Sequence, residues 1–362
     1  MKLLLISNMY PDKDNPNYGV FVKNTENILL DEGFEVDKVV FFKQKGHLKK
    51  LLLYIIYYIK IIWKGLFSTY DIIYVHYAAH NSLALNFLYK IKPVRIFTNV
   101  HGSDVVPEFR KREKLQKHVH TLLNHSDRII TPSNYYKEVV TKKYNIDPQK
   151  IRVFPSGGID FNTFHPLDKR KAMNKLGLSH DVNYIGYVGR IDVLKGWDIF
   201  LQALKMLNDE GKLKNTKAIM IGNGLQIQKL HELINKSGLD DKIVYFDFMN
   251  QNDLKYAYNA IDVFCFPTMR EGESLGLVGL EAMACARPVI GSEMGGILDY
   301  TVNDLNGFLF RPGDPSDLKN KIEKFMKLSD KEKGEMSIQA INTAEKYELG
   351  NIKPILVDIF RA

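Results

Sequence analysis

Two glutamates separated by seven residues, Glu273 and Glu281, bracket a glycine-rich run, Ser274-Leu275-Gly276-Leu277-Val278-Gly279-Leu280. Leu277, Leu280 and Ala284 form a helical apolar stripe, so a helix is expected to begin near Gly276. The backbone N–H groups of Ser274, Leu275, Gly276, Leu277 and Val278 then face outward beside the positive end of its dipole. Such a helix start binds anions. Glu273, in the loop just before the helix, could hydrogen-bond sugar hydroxyls. Glu281, a turn inside, could accept from both hydroxyls of a ribose, because a carboxylate accepts at two oxygens. The plainer alternative makes Glu281 a solvated helix position and Glu273 an acid that favours the dipole.

A second constellation precedes it. Gly189-Arg190-Ile-Asp-Val-Leu-Lys195-Gly196 follows an apolar strand and opens onto a helix with Trp197, Phe200, Leu201 and Leu204 on one side. Arg190 can grip two phosphate oxygens with its planar fork, and Lys195 adds a point charge. Together they could neutralise a departing diphosphate with no metal. The alternative is a pair of surface cations. His101 ends another apolar run, Ile96 to Val100, beside Gly102, where a strand terminus meets solvent. His76 and His80 follow a third run, and buried or surface roles suit them best. Asp12-Lys-Asp14 has the form of a metal-diphosphate motif but sits in a polar loop without a further ligand, which favours solvated acids.

These residues need strands to end beside them. Apolar runs at Lys2 to Ser7, Glu35 to Phe41, Ile72 to His76, Ile96 to His101, Arg128 to Pro132 and Lys150 to Pro155 alternate with helical spacing. That alternation predicts a parallel sheet covered on both faces. A second series starts after the turn-rich segment 155–166, with runs at Asn183 to Val188, Ala218 to Gly222, Ile243 to Phe246, Val263 to Phe266, Pro288 to Gly291 and Gly307 to Phe310. The expected fold class is α/β, with two Rossmann-like domains whose parallel sheets face across a cleft. The domains are 1–165 and 166–345, and helix 346–362 returns to the first. Ligands of open α/β sheets bind beyond the carboxyl ends of the strands.

In this frame the motifs resemble the retaining family-4 glycosyltransferases of the GT-B fold. The resemblance rests on the E-x7-E run ending in Glu281-Ala-Met-Ala and on Gly189-Arg190 followed by Lys195-Gly196. It extends to Gly19-Val-Phe-Val-Lys, His101-Gly-Ser-Asp104, Ile221-Gly222-Asn223-Gly224 and Asn306-Gly-Phe-Leu-Phe-Arg-Pro-Gly-Asp314, in the family's order. It implies transfer of a sugar from a nucleoside diphosphate, UDP favoured, to a hydroxyl of a saccharide or lipid-linked saccharide, with retention of configuration and no metal or other cofactor. By the same resemblance Arg190 and Lys195 stabilise the leaving diphosphate, while Glu273 and His101 contact the donor sugar. Glu281 holds the ribose, and Gly19, Gly222, Asn223 and the 274–278 backbone complete the donor site. Tyr18, His76 and Asp104 fall on the acceptor side. The chain departs from the pattern at Pro155-Ser-Gly-Gly-Ile-Asp160, at Asp299 where a glutamate is common, and at Phe248, which replaces a glycine where the base is expected.

Bulk properties narrow the partners. Residues 1–165 carry 24 Lys+Arg against 15 Asp+Glu, so the excess positive charge of the whole chain, net +8, lies in that half. Such a field favours anionic partners. Within it, Lys43, Lys45, Lys49, Lys50, Lys60 and Lys64 surround an apolar, aromatic-rich centre, and Arg110 to Lys114 form a second basic patch. The first segment is either a helix lying on an anionic membrane surface or a packing helix with snorkelling lysines. The longest apolar run is well short of the ~20 residues of a membrane span. Neither an export signal nor a metal-type cysteine pattern accompanies Cys265 and Cys285, so the expected location is cytoplasmic, with peripheral attachment to the inner face of the membrane left open. A sugar-nucleotide epimerase is the alternative enzyme and a nucleotide- or nucleic-acid-binding scaffold the alternative binder. The chain lacks the stacking platform or recognition helix of nucleic-acid binding, so no nucleic acid is expected. It also lacks the G-x-G-x-x-G of a dehydrogenase after its first strand.

Overall fold

The computed structural model describes residues 1–361 except Asn17, Lys45, 109–112 and Ser156; most of the Arg110 to Lys114 patch therefore lies outside the described residues. The chain divides into two compact units, Met1–Gly157 with Ile352–Ala362, and Gly158–Asn351.

In the first unit, β1 (Lys2–Tyr10), β2 (Glu35–Phe42), β3 (Ile72–His76), β4 (Ile96–Asn99), β5 (Arg128–Thr131) and β6 (Ile151–Val153) pair in the order β2-β1-β3-β4-β5-β6, all parallel. Residues Leu3 to Ile6 and all of β3 are buried, as expected of parallel strands covered on both faces. Helices α1 (Val20–Asp31), α2 (His47–Phe67), α3 (Ala78–Ile91), α4 (Gln116–His125) and α5 (Asn134–Tyr144) make the crossovers. The order reverses direction between β1 and β3. The last helix, Leu349–Arg361, belongs to this unit from Ile352 on, and its Phe360 packs against Phe34, Tyr74 and Phe97.

The second unit repeats the plan with β7 (Asn183–Val188), β8 (Thr216–Ile221), β9 (Ile243–Phe246), β10 (Val263–Phe266), β11 (Val289–Ser292) and β12 (Gly307–Phe310), in the parallel order β12-β11-β10-β7-β8-β9. Its switch point lies between β7 and β10. Trp197, Phe200, Tyr258 and Tyr300 are fully buried against these strands.

The units divide at Gly157/Gly158 and Asn351/Ile352 rather than at 165/166 and 345/346. Backbone pairing accounts for the difference. Ile159 N donates to Tyr347 O at 2.8 Å, Leu349 N donates to Ile159 O at 3.1 Å, and Leu167 N bonds Asn259 Oδ1 at 2.7 Å, so the turn-rich stretch is tied into the second unit. Turn composition marks a connection but cannot say which sheet it joins.

Among the described residues of Lys43 to Lys64, only Tyr57 and Ile61 are buried. No helix among the described residues is long and apolar enough to cross a membrane.

Candidate active site

The loop after β7 carries both cations of the first motif, and it is built from the backbone outward. The fully buried Tyr187 directs its hydroxyl at two carbonyls of this loop, Arg190 O at 3.3 Å and Lys195 O at 3.4 Å. On one side the loop after β8 runs against it: Ile191 N donates to Asn223 O at 3.0 Å and Gln226 N to Ile191 O at 2.9 Å. Gly222 permits that approach, because a Cβ there would lie 1.8 Å from Gly189 O. On the other side Met269 N donates to Leu194 O at 2.8 Å. Gly196 sits at φ +73°, where a Cβ would fall 1.6 Å from Pro267 O. The loop bearing Arg190 and Lys195 is thus held between the β8 and β10 loops, at the carboxyl ends of β7 and β10, on the switch point of the sheet.

Lys195 Nζ and Glu273 Oε2 are 2.7 Å apart, with side chains only 15% and 17% exposed. Burial alone pushes the Glu273 carboxyl up. The Lys195 charge and hydrogen bond, helped by Arg270 and Thr268, outweigh that and hold it below its ordinary range. The sequence reading gave these two residues separate tasks, and the structure joins them in one ion pair. Arg190 is largely exposed and pairs with Asp192, whose other oxygen accepts from Leu225 N at 2.8 Å. Its guanidinium is therefore tethered but reachable.

Past Glu273 the chain is held by Gly296 N, which donates to Glu273 O at 3.2 Å. Helix α10 in chain order (Leu277–Ala284) starts with Gly276 as its N-cap, so Leu277 and Val278 occupy the first-turn positions that have no acceptor within the helix. The hydroxyl of Tyr300 donates to Gly276 O at 2.9 Å and fixes that turn. One turn on, Glu281 accepts from Tyr258 Oη at 2.9 Å. Burial pushes its carboxyl up to about 7, against the lowering effect of the Tyr258 bond. Glu281 is therefore not a solvated helix position. Asn223 bonds Asp247 at 2.5 Å, and Phe248 beside it is exposed.

In the first unit, His76 ends β3 and is fully buried, with Nδ1 3.0 Å from His101 Nε2. The two rings stack at 5.2 Å, and Phe21 lies 4.5 Å from His101. Burial pushes the His101 pKa down to about 3 and, together with His101, pushes His76 well below its ordinary range. Two neutral rings share one proton across this bond. His76 Nε2 is buried without a hydrogen-bond partner. A bare ring nitrogen there costs less than an unbonded N–H, which favours the tautomer in which His76 donates from Nδ1 to His101 Nε2. Asp104 is fully buried, accepting from His101 N at 2.9 Å and Ala78 N at 2.8 Å, with its carboxyl pushed up to about 6 by burial against those backbone donors. Asp104 and His76 therefore support the His101 loop, which for His76 is the buried role the sequence favoured. Tyr18 is half-buried, its hydroxyl 3.4 Å from Asn8 O, and Gly19 caps α1 while lying against the Met9 carbonyl. In the polar loop before them, Asp12 Oδ1 caps the turn by accepting from Asn15 N at 2.7 Å.

Sequence reasoning missed Tyr258, Thr268, Asp192 and Phe21. Each reaches its partner through tertiary packing or a loop turn, and none carries a periodic signal.

Two doubly wound parallel sheets, one with a cationic loop and a helix start at its switch point, define the GT-B class of fold. Solved structures share it. Sucrose-phosphate synthase from Thermosynechococcus elongatus matches with a TM-score of 0.81 at 19% identity, covering 100% of this chain and 98% of that one. Anabaena HepE in complex with UDP matches with a TM-score of 0.79 at 19% identity, covering 100% of both chains. Among curated proteins, the D-inositol 3-phosphate glycosyltransferase of Stackebrandtia nassauensis is 32% identical over 209 residues, 56% of this chain and 46% of that protein. The chain spans about half the length of the curated relatives it matches. Residues 17–160 match the family described as Glycosyltransferase Family 4, and residues 168–346 match Glycosyl transferases group 1. The chain belongs to the family-4 glycosyltransferases, a family of the retaining type.

Proposed function

We propose that this protein transfers a sugar from a nucleoside-diphosphate sugar, UDP-linked, to a hydroxyl of a saccharide or lipid-linked saccharide, with retention at the anomeric carbon, in the synthesis of a cell-surface polysaccharide or glycolipid. The observation that carries the reading is the Lys195–Glu273 pair at the β7/β10 switch point, with the exposed Arg190 on the same loop and a helix start one residue past Gly276. When the bond from the anomeric carbon to the diphosphate oxygen breaks, its electrons stay on the diphosphate. Charge already in place there lowers the barrier without reorganisation, at typically ~3–4 kcal/mol per group. Arg190, Lys195 and the amides of Leu277 and Val278 supply that charge, so the reaction proceeds without a metal. Glu273 accepts from sugar hydroxyls, His101 contacts the donor sugar, and Glu281 accepts from the ribose. UDP is favoured because the UDP and UDP-glucose complexes of HepE share the fold.

The test is a donor panel. UDP-, GDP- and ADP-sugars are offered with EDTA present, and thermal shift is read together with nucleotide release. Stabilisation by a UDP-sugar with slow release in EDTA is the expected result. A GDP- or ADP-sugar preference overturns the base assignment, release abolished by EDTA overturns the metal-free mechanism, and no shift with any donor overturns the whole reading.

A further inference from the structure

The outer face of α2 carries a run of exposed apolar residues that the donor site does not account for. The helix buries Tyr57, Ile61 and Gly65 on one side. It is fastened there by Tyr57 Oη donating to Asn81 Oδ1 at 2.7 Å and Tyr58 Oη to His80 O at 2.6 Å. At about 100° per residue, Leu48, Leu52, Ile55, Ile59, Trp63 and Phe67 fall on the opposite side. All six are exposed, Leu48 by 85%, Trp63 by 58% and Phe67 by 73%. Phe87 and Ile91 of α3 are exposed as well, and Lys92 Nζ donates to Gly65 O and Leu66 O, which sets the last turn of α3 beside the last turn of α2. A scattered exposed leucine needs no explanation, but a stripe running the length of a 21-residue helix does.

Charge selects what covers it. The helix contains no Asp or Glu, and Lys49 and Lys60 are exposed along one border of the stripe. Lys64, the fourth lysine, is neutralised by Asp37 at 2.6 Å and faces β2. An apolar stripe with Trp and Phe near one end and cations along its edge matches the boundary of an anionic bilayer, where aromatic rings sit at headgroup depth and lysines meet phosphates. A protein partner or a second copy would have to bring acids to meet those lysines, and the helix offers none of its own. Because the opposite face is fastened to α3 and β2, the helix lies flat in the interface.

We infer that the α2 face docks the first unit on an anionic lipid surface. The inference is independent of the proposed transfer reaction. It is tested with the full chain and vesicles of phosphatidylglycerol mixed with phosphatidylcholine, against phosphatidylcholine alone, by co-sedimentation and tryptophan emission. The chain has two tryptophans, Trp63 on this face and the fully buried Trp197, so a vesicle-induced blue shift that disappears in Trp63→Phe reports this face alone. Expected are binding to the anionic vesicles, a loss of at least tenfold in Leu52→Glu/Ile59→Glu, and a several-fold loss in Lys49→Gln/Lys60→Gln or at high salt. The nucleotide-induced thermal shift should be unchanged in both variants, which separates lost docking from lost folding and from failure of the donor site. Equal binding by the glutamate variant, equal binding to neutral vesicles, or no binding to either overturns the inference. So does a dimer at micromolar concentration that Leu52→Glu/Ile59→Glu disperses, which would assign the face to a second copy of the chain.

Discussion

Removing Lys195 tests the central feature of the site. The Lys195→Met change leaves the Glu273 carboxylate without its cation in a place where only 17% of that side chain meets solvent. Breaking a buried pair from one side costs ~3–5 kcal/mol, and the remaining water access lowers the expectation here to about 2–3 kcal/mol. Glu273→Gln leaves the ammonium unpaired and should cost a similar amount. The double variant leaves no orphan charge, so its loss should fall short of the sum of the singles by roughly 1–3 kcal/mol, the coupling of residues in contact. Urea unfolding in a Trp63→Phe background follows Trp197 in the second unit without interference. The acid limb adds a signed check. With Lys195 present the Glu273 pKa is depressed, so its stabilisation is full above the unfolded value near 4.5 and is lost as pH falls through the lower folded value. In Lys195→Met burial is no longer offset, so that acid-limb loss should vanish and the variant's deficit should shrink as pH falls and the carboxyl is protonated. Single-variant losses that add to within about 0.5 kcal/mol would refute the pair as an energetic unit. If the pair also serves the leaving group, Lys195→Met should lower turnover by about 10²–10³-fold.

Three further outcomes follow from the same geometry. Glu281, pushed up to about 7, must shed its proton to accept from both hydroxyls of a diol at its two oxygens, so nucleotide affinity should rise with pH until about 7 and calorimetry below that should detect close to one proton released; Glu281→Gln should stabilise the free protein at pH 8 by ~1–3 kcal/mol while weakening nucleotide binding, and a pH-independent affinity would remove Glu281 from the ribose. Gly196→Ala, facing Pro267 O at 1.6 Å, should cost at least ~3 kcal/mol, against about 1 kcal/mol for Gly211→Ala, which has a similar positive φ and nothing within 4 Å; equal shifts in melting temperature would show that the close approach is unimportant. His76 and His101 are neutral when folded, so their contribution is lost as pH falls from about 6.5 toward the lower folded values; His76→Asn keeps a donor for His101 Nε2 and should make the unfolding free energy fall less steeply between pH 6.5 and 4, and an unchanged slope would mean that His76 is not the proton-excluding group.

The alternation of apolar runs with helical spacing was enough to locate the strands among the described residues, most plainly those such as β3 that are buried on both faces and leave an uninterrupted hydrophobic stretch. Local glycines placed the start of the helix that follows Glu273 correctly, since the N-cap and first turn are set by neighbours in sequence. What composition could not supply was pairing at a distance. Lys195 and Glu273 are 78 residues apart, and Glu281 and Tyr258 are 23 apart, so which cation meets which acid depends on β7 and β10 being neighbours in the sheet. The boundary near residue 158 was missed for the same reason, because it is set by a bridge from Ile159 to Glu348.

That pairing changes how the site must work. A lysine read from sequence is a free charge waiting for phosphate, whereas this one is already compensated by Glu273. The pair is close to neutral in the free protein, which keeps a nearly buried ammonium affordable and holds its position before any donor arrives. In the proposed reaction an incoming diphosphate would then draw on Arg190, which is largely exposed and paired with Asp192, for its first strong contact. On that proposal Lys195 would contribute most as charge accumulates on the leaving oxygen, since only then would the phosphate compete with Glu273 for it. Arg190 should accordingly govern donor affinity and Lys195 the rate of bond breaking, a division that follows from their partners and not from their residue types.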